Sequence, residues 1–284
     1  MRIDLHCHSS ASDGTDTPAE LVAAGRAAGL DVLAITDHDT TAGWAEAVAA
    51  LPQRMSLVRG MELSCESVSE TGRRVPVHLL AYLFDPEHPE LAAELVRLRG
   101  ERTRRLRTMA QRMADDGLPV EPEAVLANAG PSAGRPHLAR ALVDAGVVES
   151  VGAAFDTLLS SRGGYYVHKE DVPVRRGVEL VAAAGGVSVL AHCRAHVRGA
   201  TLTEDAIAEL VPLGLGGLEV EHMDHSDADR DRLGALAAEL GLLTTGSSDY
   251  HGRNKTVQLG AHTTAVDQYE RLLGEARVTT VVQG

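Results

Sequence analysis

The chain has 284 residues and a formal net charge of −13 with His neutral, which excludes duplex DNA binding through the general surface and leaves only a local basic cleft for phosphates. Hydrophobic residues make up 44% and aromatics 3%, so Ala, Val and Leu must pack a sizeable core. No apolar run approaches the roughly 18 residues of a membrane span and the first strand starts at once, so neither a signal peptide nor a membrane helix is expected, and the cytoplasm is the expected compartment.

In chain order, a strand over residues 1–5 leads to a helix over 18–28, announced by Thr17 before Pro18 and Glu20 and stopped at Gly29. A strand over 32–36, a helix over 41–50 and strands over 56–63 and 75–84 come next. Residues 90–166 then break the alternation with helices over 91–116, 121–129, 135–145 and 151–159, punctuated by Gly117, Pro119, Gly130, Pro131, Gly163 and Gly164. A helix over 173–184, a strand over 187–191, a helix over 203–213, a strand over 217–220, a helix over 227–239 and a strand over 242–246 complete the pattern. Alternating strands and helices imply an α/β fold with a mainly parallel sheet, which this many units close more readily as a barrel than as an open sheet. Residues 90–166 read as a helical cap subdomain inserted into a barrel built from 1–89 and 167–284. The odd set Cys7, Cys65 and Cys193 has no CxxC spacing, so these read as small buried hydrophobes rather than a disulfide framework or metal ligands.

Polar clusters fall at the predicted strand C-termini: His6 and His8, Asp37-His38-Asp39, Glu62, His78, His192, and Asp249 with His251. Asp13 joins them from the first loop. Side chains at i and i+2 of a strand point the same way, so His6 and His8 project together. In parallel α/β folds the C-terminal strand ends carry the active site. His, Asp and Glu converging there suit Mn²⁺, Zn²⁺ or Fe²⁺, and multi-metal sites of this kind favour phosphoester hydrolysis. Alone, His78 in an apolar strand reads as a core histidine, and His88, His196 and His262 as surface residues. The joint pattern carries the metal reading.

The segments Asp4-Leu-His-Cys-His-Ser9, Thr36-Asp-His-Asp39, Gly60-Met-Glu62, Leu190-Ala-His192 and Gly246-Ser-Ser-Asp-Tyr-His-Gly252 resemble the ordered motifs of the PHP (polymerase and histidinol phosphatase) domain. The resemblance spans nearly the whole chain. It implies a distorted (β/α)7 barrel with two or three divalent ions, Mn²⁺ first, with Zn²⁺ or Fe²⁺ as alternatives. It implies one subsite of His6, His8, Glu62 and Asp249, a second of Glu62, His78 and His192 with Glu62 bridging, and a third of Asp13, His38 and His251. Cys193 departs from the Pro that commonly follows the Ala-His pair, without removing a ligand.

Within the family the chain is most similar to phosphoesterases of nucleotides and short RNA, including 3′,5′-nucleoside bisphosphate phosphatases and 5′-to-3′ exoribonucleases. Gly134-Arg-Pro-His137, Gly185 to His192, and Gly217 to His222 with Asp224-His-Ser226 carry that likeness. The resemblance implies attack by metal hydroxide on nucleoside 3′,5′-bisphosphates, AMP-like nucleotides or short 5′-phosphorylated RNA. Arg135 is the expected phosphate grip, with His137, Lys169 and Arg194 as further contacts, because a guanidinium can hold a phosphate through two parallel hydrogen bonds. His225 or His222 is the candidate general acid, although Glu221 and Met223 replace the family's Tyr and Pro around them. The run Arg97, Arg99, Arg102, Arg104, Arg105, Arg107 and Arg112 reads first as a solvated helix face, and otherwise as an electropositive rim for an oligonucleotide. Histidinol-phosphate phosphatase and a non-catalytic metal- or nucleotide-binding module are the alternatives. The cap motif argues against the first and the complete ligand set against the second.

Overall fold

The structure is a computed structural model that describes residues 1–69 and 72–284. The first half begins with strand β1 (Ile3–Cys7), helix α1 (Pro18–Ala27), strand β2 (Val32–Ile35) and helix α2 (Trp44–Ala49). Helix α1 starts by local chemistry alone. The Thr17 hydroxyl accepts the Glu20 backbone N–H at 3.2 Å, the Glu20 carboxylate accepts the Thr17 N–H at 2.8 Å, and Pro18 needs no donor there. Two long strands follow, β3 (Ser56–Val68) and β4 (Arg74–Tyr82), then helices α3 (Pro89–Asp115), α4 (Pro122–Ala127), α5 (Arg135–Asp144) and α6 (Val151–Asp156). The remainder contains β5 (Val172–Pro173), α7 (Val174–Ala183), β6 (Val187–Leu190), α8 (Glu204–Ala208), β7 (Leu215–Glu221), α9 (Asp227–Leu240), β8 (Leu243–Gly246), α10 (Val266–Glu275) and β9 (Val282–Gln283). No helix among the described residues is long and apolar enough to cross a membrane.

The sheet runs β1-β2-β3-β4-β6-β7-β8, with β5 and β9 pairing β3 off this path. Its ends meet through single contacts rather than a ladder. Cys7 forms a parallel bridge with Tyr250, whose carbonyl accepts the His8 N–H at 2.9 Å. The buried Asp4 carboxylate accepts the N–H groups of Ser248 at 3.0 Å and Gly260 at 2.8 Å. The result is a distorted α/β barrel.

The sheet is mainly parallel, with antiparallel pairing where β4 meets β3 and β6 and where β9 meets β3. Only residues 69–73 connect β3 to β4, and a connection that short makes a hairpin. The expected helix over 203–213 divides into α8 and a 3-10 turn at Val211–Leu213, where Pro212 supplies no N–H to continue an α-helix. Helix α10 and the short strands β5 and β9 lie outside the predicted elements.

Strand alternation positions the site. Ile3, Leu5, Val32, Ala34, Val58, Leu80, Tyr82, Val187, Val189 and Leu243 form one buried cluster. Glu62 lies an even number of residues beyond Val58, and His78 an even number before Leu80, so both continue the inward face. The opposite face packs Leu33, Ile35, Leu57, Met61 and Leu79 against Leu21, Val22, Val178 and Val181. Helix α3 joins two cores: Leu91, Leu95 and Leu98 belong to this outer cluster, whereas Leu106, Met109 and Met113 pack with Leu138, Leu142 and Leu159.

Candidate metal centre

Glu62 organises the mouth of the barrel. It is 1% exposed and contacts five imidazoles through its two carboxylate oxygens. Oε2 lies 3.1 Å from His6 Nε2, 3.1 Å from His8 Nε2 and 3.2 Å from His38 Nδ1. Oε1 lies 2.6 Å from His78 Nδ1 and 3.0 Å from His192 Nε2. His78 stands in the middle of β4, opposite Ser64, and not at a strand C-terminus. It still reaches the mouth because β4 runs backwards: Leu79 pairs Leu190, the last residue of β6, so His78 lies just beyond the level where β6 ends.

Among the described residues, three groups bring ligand atoms close enough to share a cation: His6, His8 and Asp249; His38, Glu62 and His78; and His8, Asp13, His38 and His251. Asp249 Oδ1 is 3.6 Å from His6 Nε2 and 3.5 Å from His8 Nε2. Asp13 lies 3.6 Å from His38 Nε2 and 3.4 Å from His251 Nε2. The position of His8 differs from the family-derived scheme. Its Nε2 faces Glu62 while its Nδ1 is 3.5 Å from Asp13, so one ring touches two groups.

The donor set fits divalent cations. His6 Nε2 and His8 Nε2 stand 3.0 Å apart, and the buried Nδ1 atoms of His38 and His78 face Glu62 without a well-directed hydrogen bond. Ring nitrogens and carboxylates crowded this way find their natural partner in an ion between them. Electrostatics agree. Burial alone would raise the Glu62 carboxyl, but His78, His38 and His6 hold it well below its ordinary range. Burial opposes charge on His6, yet Glu62, Asp249 and Glu219 raise it well above the usual imidazole value. Burial likewise opposes charge on His8, and Asp249 and Glu62 push it up to about 9. Burial, aided by His8 and Lys255, takes His251 down to about 4.

The raised values of His6 and His8 favour protons that a metal would have to displace, because imidazole must be neutral to bind a metal. Metal loading near pH ~7.5 should therefore release protons, and affinity should fall as pH drops. Calorimetry in buffers of different ionisation enthalpy measures this directly. A heat of binding that is independent of buffer would contradict it.

Supporting residues hold these side chains in place. Glu219, buried on β7, accepts from His6 Nδ1 at 3.0 Å and from the His192 backbone N–H at 2.6 Å, and Ser247 donates to it. One carboxylate thus orients the His6 ring and fixes the His192 backbone. Asp37 accepts from the Ser9 N–H at 2.8 Å and the Ser12 hydroxyl at 2.6 Å, shaping the loop between His8 and Asp13. Of Asp37-His38-Asp39, only His38 faces the cluster. Asp39, His192 and Asp249 adopt positive φ angles of 52°, 30° and 52°. Such backbone persists only where its surroundings over-determine it, as hydrogen bonds do here.

The remaining sequence candidates divide. His222 is buried with Nε2 3.2 Å from Asp249 Oδ2 and Nδ1 accepting the Asp224 N–H at 3.0 Å. His225 donates from Nδ1 to the Val220 carbonyl at 2.9 Å and accepts the Arg194 N–H on Nε2 at 3.2 Å. Both rings are engaged at both nitrogens. The Arg194 guanidinium is bound to Glu204 instead of standing open to phosphate. His137 Nδ1 accepts the Gly134 N–H at 3.1 Å and caps α5.

Arg135 and Lys169 do converge, together with Arg102 and Arg105, around one pocket beside Ala133 and Gly134. Arg135 lies over Phe155 and Tyr166, with its guanidinium carbon 5.0 and 5.7 Å from the ring centroids, and donates to the Leu159 carbonyl at 3.0 Å. Arg105 lies over Tyr166 at 4.9 Å, and its Nε and Nη2 are buried without hydrogen-bond partners. Burial and then the neighbouring Arg135 push Arg105 down to about 10. The Lys169 ammonium is paired with Asp171. The solvated-face reading of the arginine run holds for Arg97 and Arg104, paired with Glu94 and Glu101, but fails for buried Arg102 and largely enclosed Arg105.

Comparison with known proteins agrees with this geometry. Residues 4–119 match the PHP domain model. A 5′-3′ exoribonuclease of Haemophilus influenzae is 32% identical, with 94% of this chain and 96% of that protein covered. A 3′,5′-nucleoside bisphosphate phosphatase of Chromobacterium violaceum is 34% identical over 88% of this chain and 87% of the relative. The crystal structure of a Bifidobacterium adolescentis protein, taken to be a metal-dependent phosphoesterase, superposes with a TM-score of 0.90 at 37% identity, covering 97% of this chain and 96% of that one. By this family-model match and these relatives, alike over most of its length, the chain belongs to the PHP domain family.

Proposed function

We propose that this metal-dependent phosphoesterase acts on nucleotides that carry a second phosphate: nucleoside 3′,5′-bisphosphates or short 5′-phosphorylated RNA. The observation that supports this reading is the cation pocket of Arg102, Arg105, Arg135 and Lys169. Arg102 binds Asp39, the residue after His38, so the pocket adjoins the metal centre. Crowded guanidinium groups with unpaired buried N–H atoms gain most from an anion. Residues 90–166 act in this reading as the substrate cap on the barrel of 1–89 and 167–284, and the separate apolar cluster from Leu106 to Leu159 supports that division.

His6, His8, Asp13, His38, Glu62, His78, His192, Asp249 and His251 would hold two or three ions, Mn²⁺ in the first place, with Zn²⁺ or Fe²⁺ compatible with the same donors. When bound, such ions supply an activated water and neutralise charge on the phosphoryl oxygens. The protein's own contribution is position. Glu62 holds five imidazoles in register, Glu219 orients His6, and the cap cations place a second phosphate so that only one ester is presented to the centre.

The test compares adenosine 3′,5′-bisphosphate, AMP and histidinol phosphate with Mn²⁺-loaded protein. The bisphosphate should lead AMP in kcat/KM by roughly 10- to 100-fold, the worth of one charge-assisted hydrogen bond or slightly more. Arg135→Ala and Arg105→Met should erase that lead mainly through KM. Preference for histidinol phosphate, or a lead that survives both substitutions, would defeat the proposal.

A further inference from the structure

Asp249 divides its two oxygens between different neighbours. Oδ1 faces three imidazoles, 3.6 Å from His6 Nε2, 3.5 Å from His8 Nε2 and 3.4 Å from His251 Nδ1. Oδ2 faces away, 3.2 Å from His222 Nε2 and 2.5 Å from Lys255 Nζ. Lys255 also reaches the Asp249 carbonyl at 3.3 Å. It therefore touches both the carboxylate and the backbone of a residue whose φ is +52°.

The chain is built to bring Lys255 back. After His251 it reverses at Gly252, whose φ of +62° suits glycine and where a Cβ would stand 2.0 Å from the Thr15 hydroxyl oxygen. A short 3-10 turn, Gly252–Asn254, then returns Lys255 to Asp249. Asn254 secures the same loop on two sides. It donates to the Asp13 carbonyl at 2.9 Å and accepts from Arg140 of α5 at 2.6 Å. The loop 252–255 thus braces two of the metal-facing segments at once.

We propose that Lys255 is a positioning residue for the metal centre: it holds Asp249 Oδ2 so that Oδ1 alone is presented to the position shared with His6 and His8. This rests on the metal-centre reading above. With its side chain 26% exposed, Lys255 keeps its ammonium partly hydrated while bracing a carboxylate that is 1% exposed. Its contact is with the ligand and not with substrate, so its loss should show in metal binding before it shows in substrate binding.

The test uses the full chain with Lys255→Met and Lys255→Arg, each checked for cooperative unfolding, with metal content by elemental analysis, Mn²⁺ titration, and kcat and KM on adenosine 3′,5′-bisphosphate. Lys255→Met should weaken Mn²⁺ binding by about 10- to 100-fold, as loss of an outer partner of a metal ligand does. It should also lower kcat at limiting Mn²⁺ with KM little changed, and Lys255→Arg should restore most of both. A Met variant that binds Mn²⁺ as the unaltered protein does overturns this assignment alone. If KM rises in that variant, Lys255 is a substrate contact instead. An unaltered protein that binds no divalent ion overturns the metal centre, and the assignment with it.

Discussion

Replacing Glu62 by Ala should reduce turnover by at least ~10³-fold and lower the bound metal, since bridging and charge stabilisation at such a centre are worth several kcal/mol and each ~1.4 kcal/mol is tenfold in rate. The reason is geometric. Its two oxygens are the common partners of His6, His8, His38, His78 and His192, all within 3.2 Å, so one carboxylate reaches members of all three groups. Glu62→Gln should fail nearly as badly, because it keeps the shape and loses the charge that the imidazoles and any cation require. Elemental analysis alongside single-turnover assays decides the matter. Full metal content with near-normal turnover in the Ala variant would remove Glu62 from the centre.

Arg102→Met should destabilise the protein by roughly 3–5 kcal/mol, the usual result of breaking a buried ion pair by removing one partner. Asp39 is completely buried, and it accepts from Arg102 and from the Ser64 N–H at 2.7 Å. Arg102 also donates to the Ser64 hydroxyl at 2.7 Å. Burial alone would raise the Asp39 carboxyl, but Arg102 and then Lys169 hold it well below its ordinary range. A carboxyl depressed in the folded state contributes stability above its unfolded value near ~3.9, and that contribution is lost as pH falls below it. The gap between unaltered and variant protein should therefore be full at neutral pH and shrink in acid. Thermal unfolding should show a drop on the order of 10 °C at neutral pH. Adding Asp39→Asn to Arg102→Met should recover part of the loss, since it removes the unpaired charge. An unchanged midpoint in the single variant would show that the pair contributes nothing to stability.

Local chemistry made much of this protein readable. The start of α1 depends on Thr17, Pro18 and Glu20, three neighbours that act on one another. The barrel strands reveal themselves as short apolar runs, and His6, His8, His38, His192, Asp249 and His251 mark the places where those runs give way to the site, whereas Glu62, expected at a strand end, lies inside β3, which the antiparallel pairing with β4 carries on to Val68. A long polar side chain closing an apolar strand is conspicuous within a few residues, so no distant contact is needed to notice it.

Partnership across the fold was not readable in that way. Seven arginines look alike along α3, but only the phase of that helix and its docking on the barrel put Arg102 on Asp39 and Arg105 in the pocket, while Arg104 stays with Glu101 at the surface. Glu219 is one acid in an apolar strand until β7 takes its place beside β6 and brings it to His6 and His192. His222 and His225 read as candidate general acids in the sequence, and only the fold shows which groups meet their ring nitrogens. His78 reaches the mouth only because β4 reverses direction. Residue type and short-range periodicity establish which groups can do chemistry and which strands carry them. Their partners, their protonation and the choice among identical side chains depend on contacts between residues far apart in the chain, and only the closed barrel with its docked helices creates those contacts.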